Sequence, residues 1–415
     1  MLLHHFREDV AINWKRTLYV MFFAQLVSAV GFSIIFPFLP LYVQSLGATT
    51  SLSIELLAGL VFSSQAVAMA ITSPIWGLLA DRYGRKLMVE RAMFGGAVIL
   101  LLMAFVRSAE ELVLLRTLQG LVTGTLGAAN ALVAGVTPRQ HMGYAMGLLQ
   151  VGLGAGLALG PLIGGVVADV VGYYAAFYIT AVLLAVAGLL VLWGVEENFG
   201  RPQADGAHSL GLLAGWRHIL SASGVMSTYG LSFMVQLGRM MIVPIAPLFI
   251  ASLLKDSQGV NSFTGLVVGS ASATTTVSAI YLGRLGDRIG HRRILIICAL
   301  VSALLYLPQS LVTAGWQLLV LYALVGVCVG GVIPAISALL ARYTQEGEEG
   351  MVYGLDNSIT SAARAVAPLL GVGVAAWLGL PATFAATALI FFWAGSLAAF
   401  GLPKPGRPRR WGHRV

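Results

Sequence analysis

The sequence predicts an all-α membrane protein, with twelve transmembrane helices in two pseudo-symmetric six-helix bundles. Three observations carry that expectation. Hydrophobic residues make up 58% of the 415, charged residues only 10%, and mean hydropathy is +0.86, whereas soluble domains carry roughly one-quarter charged residues. Long apolar runs recur over the whole chain rather than in one block. The same short motifs return 206 or 207 residues later, in the same order.

Runs long enough to cross a hydrocarbon layer of about 30 Å lie near residues 17–43, 55–80, 86–106, 110–136, 141–168, 172–194, 221–251, 261–282, 293–313, 316–341, 350–376 and 380–402. An even number puts both termini on one side. Loops rich in Lys and Arg face the cytoplasm, because basic residues resist translocation. Of the 25 basic residues, only Arg107 and Lys255 fall in the opposite loops, and Arg116, Arg239 and Arg364 fall inside spans. Both tails are therefore expected in the cytoplasm. The longest polar interval, about Glu196 to Arg217, contains Gly200, Pro202, Gly206 and Gly211 and separates six spans from six. The chain thus divides into a tail (1–16), an amino-terminal bundle (17–194), a linker (195–220), a carboxy-terminal bundle (221–402) and a basic tail (403–415).

The net charge of +8 follows from that asymmetry and from contact with anionic membrane lipids. No aromatic and basic pattern suits a nucleic acid, which is not expected as a partner. Cys298 and Cys328 sit in apolar runs, and the seven histidines show no ligand spacing, so neither a disulfide nor a metal is expected. The amino terminus carries acids before the first span and does not read as a cleaved signal, so it is expected to be retained. No set of nucleophile and base emerges, which argues against an enzyme.

The repeats are specific. Gly77 to Lys86, GLLADRYGRK, returns as GRLGDRIGHR from Gly283 to Arg292. Gly31, Pro37 and Pro40 return as Gly238, Pro244 and Pro247, Pro161 and Gly164 as Pro368 and Gly371, and Gly120 and Gly124 as Gly326 and Gly330. In the first motif Gly84 suits a tight turn and Gly77 a close helix approach. Asp81 with Arg82, Arg85 and Lys86, and Asp287 with Arg288 beside Gly283 and Gly290, are expected to form ion-pair and helix-end networks that hold one conformation and break in another. In the fifth span Gly152, Gly156, Gly160 and Gly164 recur every four residues, next to Pro161 and Gly165. That spacing makes a smooth stripe for another helix.

The Gly77 to Lys86 segment resembles the signature of the major facilitator superfamily. GFSIIFPFLP from Gly31, LLRTLQG from Leu114 and GLALGPLIGG from Gly156 are similar to motifs of its twelve-helix drug/proton antiporter family. INWKR from Ile12, FPFLPLYV from Phe36 and RLGDRIG from Arg284 look most like the MdtG-type multidrug efflux branch. The resemblance implies the major facilitator fold, a multi-pass protein of the inner (plasma) membrane, and export of amphiphilic small molecules coupled to proton entry by alternating access. It implies that the glycine face of the fifth span lies between the halves and limits leakage. It gives Arg116, which matches the family's fourth-helix arginine, a part in proton coupling. The proton is the expected coupling ion, no cofactor is implied, and the chain is expected to work as a monomer. A dedicated exporter or facilitator of one metabolite class, such as an organic anion, siderophore or lipid, is the nearest alternative. A sensor or scaffold that transports nothing is another.

An arginine at the centre of a membrane helix costs at least about 2.5 kcal/mol, so it faces a partner or a wet cavity. Arg239 and Arg364 lie near mid-depth, with Gln236 one turn from Arg239, and with Asp356 and Asn357 about two turns from Arg364. These residues, with Gln25 and Gln119 and the aromatic walls Phe32 and Phe233, are the expected substrate site; Asp356 is the expected partner of Arg116 in proton coupling. No carboxylate occupies mid-depth, and Thr360 and Ser361 stand where related efflux proteins carry an Arg-Asp pair. Two arginines repel dications, so neutral, zwitterionic or anionic amphiphiles are the expected substrates.

Overall fold

The computed structural model describes residues 13–197, 224–254, 259–343 and 349–403. The first stretch forms α1 (Trp14–Ile34), α2 (Leu39–Leu46), α3 (Ile54–Tyr83), α4 (Arg85–Met103), α5 (Ala109–Val122), α6 (Thr125–Val136), α7 (Met142–Val170) and α8 (Tyr173–Gly194). The remainder forms α9 (Val225–Met241), α10 (Ile245–Leu253), α11 (Val260–Ile289), α12 (His291–Gln309), α13 (Gly315–Tyr343), α14 (Glu349–Leu378) and α15 (Leu380–Phe400). Residues 1–12 and 404–415 of the expected tails, and the expected linker beyond Glu197, fall outside these residues, while Trp14, Lys15 and Arg16, expected in the tail, belong to α1.

Side chains that prefer caps start several helices: Asn13, Ser53 and Ser108 each accept a hydrogen bond from the N–H three residues on. Ten segments among the described residues are helical, long and apolar enough to cross a membrane. The other two expected spans are present as helices with physical reasons for falling short. In α4, Arg85, Lys86, Glu90 and Arg91 crowd the first two turns. The fourth expected span is divided at Thr123 and Gly124, where Gly124 takes φ 143°, into α5 and α6 of 14 and 12 residues. The surface is apolar, with Trp377 90% and Phe400 91% exposed, a pattern suited to acyl chains rather than water.

Two apolar clusters use buried residues from the first half, and the third uses buried residues from the second. Within the first half α1 packs on α7 and α8, α3 on α5, and α4 on α8; within the second α9 packs on α14 and α15, α11 on α13, and α12 on α15. The halves meet along two seams, α7 with α11 and α3 with α14, and α2 also touches α10. Leu41 reaches the carboxy-terminal cluster and Val243 the amino-terminal one.

Several contacts obey the repeat. A Cβ at Gly164 would strike the Ile34 carbonyl, and one at Gly371 that of Met241; Gly120 lies against the Gln65 carbonyl and Gly326 against that of Ala271. Partner and glycine are shifted together by 207 residues in the first pair of contacts and by 206 in the second.

Candidate functional site

The carboxy-terminal half gathers polar groups from three helices. Arg239 on α9 lies within electrostatic reach of Tyr306 on α12 and of Arg364 on α14. Arg364 in turn lies within reach of Asp356, and the Ser232 hydroxyl of α9 sits beside that carboxyl. Tyr229 is close to Asp356 as well and donates its hydroxyl to the Val352 carbonyl at 3.0 Å. Both arginines are half-buried, and among the described residues no hydrogen bond or ion pair holds either guanidinium. One oxygen of Asp356 is buried without a partner. Two cations and one carboxylate leave a net positive, under-satisfied centre, a state that favours an anionic group or water between them. Gln236 is buried on the same helix, whereas Asn357 is exposed. Phe233 is half-buried on α9.

Ser232, Tyr229, Tyr306 and Tyr322 were absent from the sequence-derived site. Tyr322, on α13, is close to Tyr306, and its hydroxyl is buried without a partner. A hydroxyl in an apolar run gives no periodic signal, and Ser232 on α9 meets Asp356 on α14 only through the packing of two helices remote in sequence.

The amino-terminal polar residues are organised differently. Arg116 is 1% exposed; its Nε donates to the Val61 carbonyl of α3 at 3.2 Å and its Nη1 to the Gln119 side chain at 2.7 Å. The guanidinium also faces the Phe62 ring at 5.8 Å. It thus ties α5 to α3, while its Nη2, the Gln119 Nε2 and the Gln25 Oε1 are buried without partners. The structure gives Arg116 and Asp356 no contact with each other. Phe32 packs on the amino-terminal cluster near Gly96.

The duplicated motif lies mostly on helix, not in a loop: α3 and α11 continue to Tyr83 and Ile289. Only Gly84 (φ 103°) and Gly290 (φ 98°) make the turns, in the left-handed region that glycine tolerates. Gly77, expected to permit close approach, has no neighbour within 4 Å of a Cβ position, and neither has its repeat Gly283. The side chain of Asp81 falls outside the described set. Arg82 is exposed over the Tyr83 ring. Arg85 donates to the Ala131 carbonyl at 2.7 Å and Lys86 to that of Leu192 at 2.8 Å. Glu197, which the sequence did not flag, accepts from the Arg85 and Lys86 N–H groups at 2.9 and 2.8 Å and so caps α4. In the repeat, Asp287 pairs with His291 at 3.1 Å and Arg288 is exposed.

The glycine stripe of α7 faces a different neighbour from the one implied. Gly152, Gly156, Gly160 and Gly164 abut α1, within the same half, and Ser33 Oγ donates to the Gly156 carbonyl at 2.9 Å. The stripe's spacing of four builds a groove whose rim the α1 backbone fills. The seam between halves uses the adjacent face: Gly165 against the Asn261 carbonyl, the Pro161 carbonyl against Gly265, and Gly154 against Thr276.

Comparison with known proteins bears on this arrangement. A family profile described as Major Facilitator Superfamily matches residues 21–234 and 228–414. The multidrug resistance protein MdtG of Salmonella typhimurium is 36% identical over 382 residues, 92% of this chain and 94% of that protein. A crystal structure of a bacterial homologue of the human lysosomal transporter Spinster, inward-facing and occupied, is similar with a TM-score of 0.77 at 12% identity, covering 94% of this chain and 98% of that one. The human organic anion transporter MFSD10 (TETRAN) is similar with a TM-score of 0.66 at 18% identity, covering 93% and 99%.

Proposed function

The chain belongs to the Major Facilitator Superfamily, a transporter rather than an enzyme, and on that premise we propose that it exports amphiphilic small molecules by proton-coupled alternating access. In this reading twelve spans form two six-helix bundles in the inner membrane, with both termini in the cytoplasm, and the bundles rock about a midplane cavity. The relatives named as multidrug resistance proteins support export.

The observation that carries the site is the pair of arginines, Arg239 and Arg364, lying within reach of each other with no ion pair among the described residues. They receive the head group of the substrate, Tyr306 and Gln236 lie alongside, and Asp356 carries the coupling proton. A buried cation pair is stabilised by an anion and destabilised by a second cation, so anionic or zwitterionic amphiphiles are preferred to dications. The seam contacts at the α7 carboxy end, together with α2 against α10, fit a state closed to the outside. The amino-terminal Arg116 contributes by tying α5 to α3.

Uptake into inside-out vesicles, with and without an imposed proton gradient and over a mixed substrate panel, tests the proposal. Several unrelated amphiphiles should accumulate, and collapse of the gradient should abolish accumulation. Uptake of one metabolite alone would favour a dedicated exporter, and indifference to the gradient would remove proton coupling.

A further inference from the structure

Asp169 sits in the last turn of α7, where the helix dipole disfavours a carboxylate. Its local position is therefore explained by something other than its own helix. Across the seam, α11 begins at Val260 behind Gly259, which has φ 80° and no side chain with which to cap it. The first N–H groups of such a helix lack partners. Asp169 provides them: Oδ1 accepts from the Asn261 N–H at 3.3 Å and from its side-chain amide at 2.8 Å, and Oδ2 accepts from the Ser262 N–H at 2.7 Å. The cap is supplied by one half of the molecule to a helix of the other. Immediately below it the two backbones touch, at Gly165 with Asn261 and at Gly265 with Pro161.

The second seam lacks this device. The positions 206 and 207 residues after Asp169 are Ala375 and Ala376, and the position 206 before Asn261 is Glu55. There the α3 helix is capped by its own Ser53, and Gly59 meets Leu369 and Val372. Among the described residues, then, one seam has a helix capped by the opposite half, and the other has its helix start capped from within its own chain segment.

We infer that Asp169 is a positioning residue of the transport cycle: by capping α11 across the seam it holds this face shut, and release of that cap is the step that opens it. The inference rests on the alternating-access reading above. Separation of the halves strips two backbone N–H groups of their acceptor, so the cap biases the population toward the closed face.

The test uses the full chain in lipid, with spin labels at Val171→Cys and Leu311→Cys, both exposed positions in different halves, and the interspin distance distribution as readout. In Asp169→Ala the ratio of long to short distances should rise by about tenfold, with Asp169→Asn, which keeps one acceptor oxygen, in between. Glu110→Ala should leave the distribution unchanged, because Glu110 accepts from Thr49 and Thr50 of its own half. If the parent chain opens on addition of substrate or acid but Asp169→Ala and Asp169→Asn match it under all conditions, the latch is refuted and alternating access stands. If no chain ever shows a second distance, both fall.

Discussion

Lys86 and Arg292 each reach a carbonyl in the last helix of their own half, Leu192 and Ala398 respectively, and donor and acceptor are both displaced by 206 residues. Around that shared contact the two halves diverge. In the first, Glu197 caps α4 and Arg85 holds the Ala131 carbonyl; at the matching place in the second, His291 pairs with Asp287 and Pro403 stands 206 residues after Glu197. The arginines within the spans diverge too: Arg116 is bonded into α3, whereas the half-buried Arg239 and Arg364 have Tyr306, Asp356 and each other within electrostatic reach and, among the described residues, no hydrogen bond. Duplication has kept what backbone contact demands and released what polar side chains do. The repeated backbone contacts hold helices together within each half, and the proposed site uses the arginines of the second half that no such bond holds.

The comparison is broken most severely at its backbone contacts. Gly164→Leu and Gly371→Leu should each destabilise by about 3 kcal/mol, since a side chain at either position meets a carbonyl of the adjacent helix; loss of monodisperse protein would reveal it. Gly77→Ala and Gly283→Ala should stay within about 0.5 kcal/mol of the parent, because neither faces a neighbour. Stability of one leucine variant but not the other would show that the halves do not share this contact.

Arginine substitution sharpens the contrast. Arg116→Ala should lower thermal stability by about 2 kcal/mol, through the Val61 carbonyl and Gln119 left unpaired. Arg239→Ala should leave the melting temperature level or raised, because it removes a desolvated cation with no bonded partner. The smallest effect belongs to the cap: Glu197→Ala should cost about 1 kcal/mol and be read as faster amide exchange at Arg85 and Lys86, without change at His291 and Arg292.

Elements whose cause is local were legible in the sequence. Gly84 announced its turn, its repeat Gly290 makes the matching one, and the order of helices follows the apolar runs. Gly124 was read only as a repeat of Gly330, yet it divides α5 from α6 while Gly330 lies inside α13 and packs on α11. A stripe of glycines says that something packs closely and not which helix does so, and the α7 stripe took α1. The capping roles of Glu197 and Asp169 were not legible because each caps a helix remote in sequence, and a cap donated from afar leaves no spacing to read. Arg239 and Arg364 were conspicuous as charges in apolar runs, but their approach to one another depends on the packing of α9 against α14.

The most direct test of the account is uptake of a matched pair of amphiphiles, one anionic and one dicationic on the same skeleton, by the parent chain and by Arg239→Ala and Arg364→Ala in inside-out vesicles. The account predicts anion preference in the parent and a loss of about tenfold in anion uptake in either variant, with dication uptake level or increased. A dication preference that both substitutions leave unchanged would contradict it.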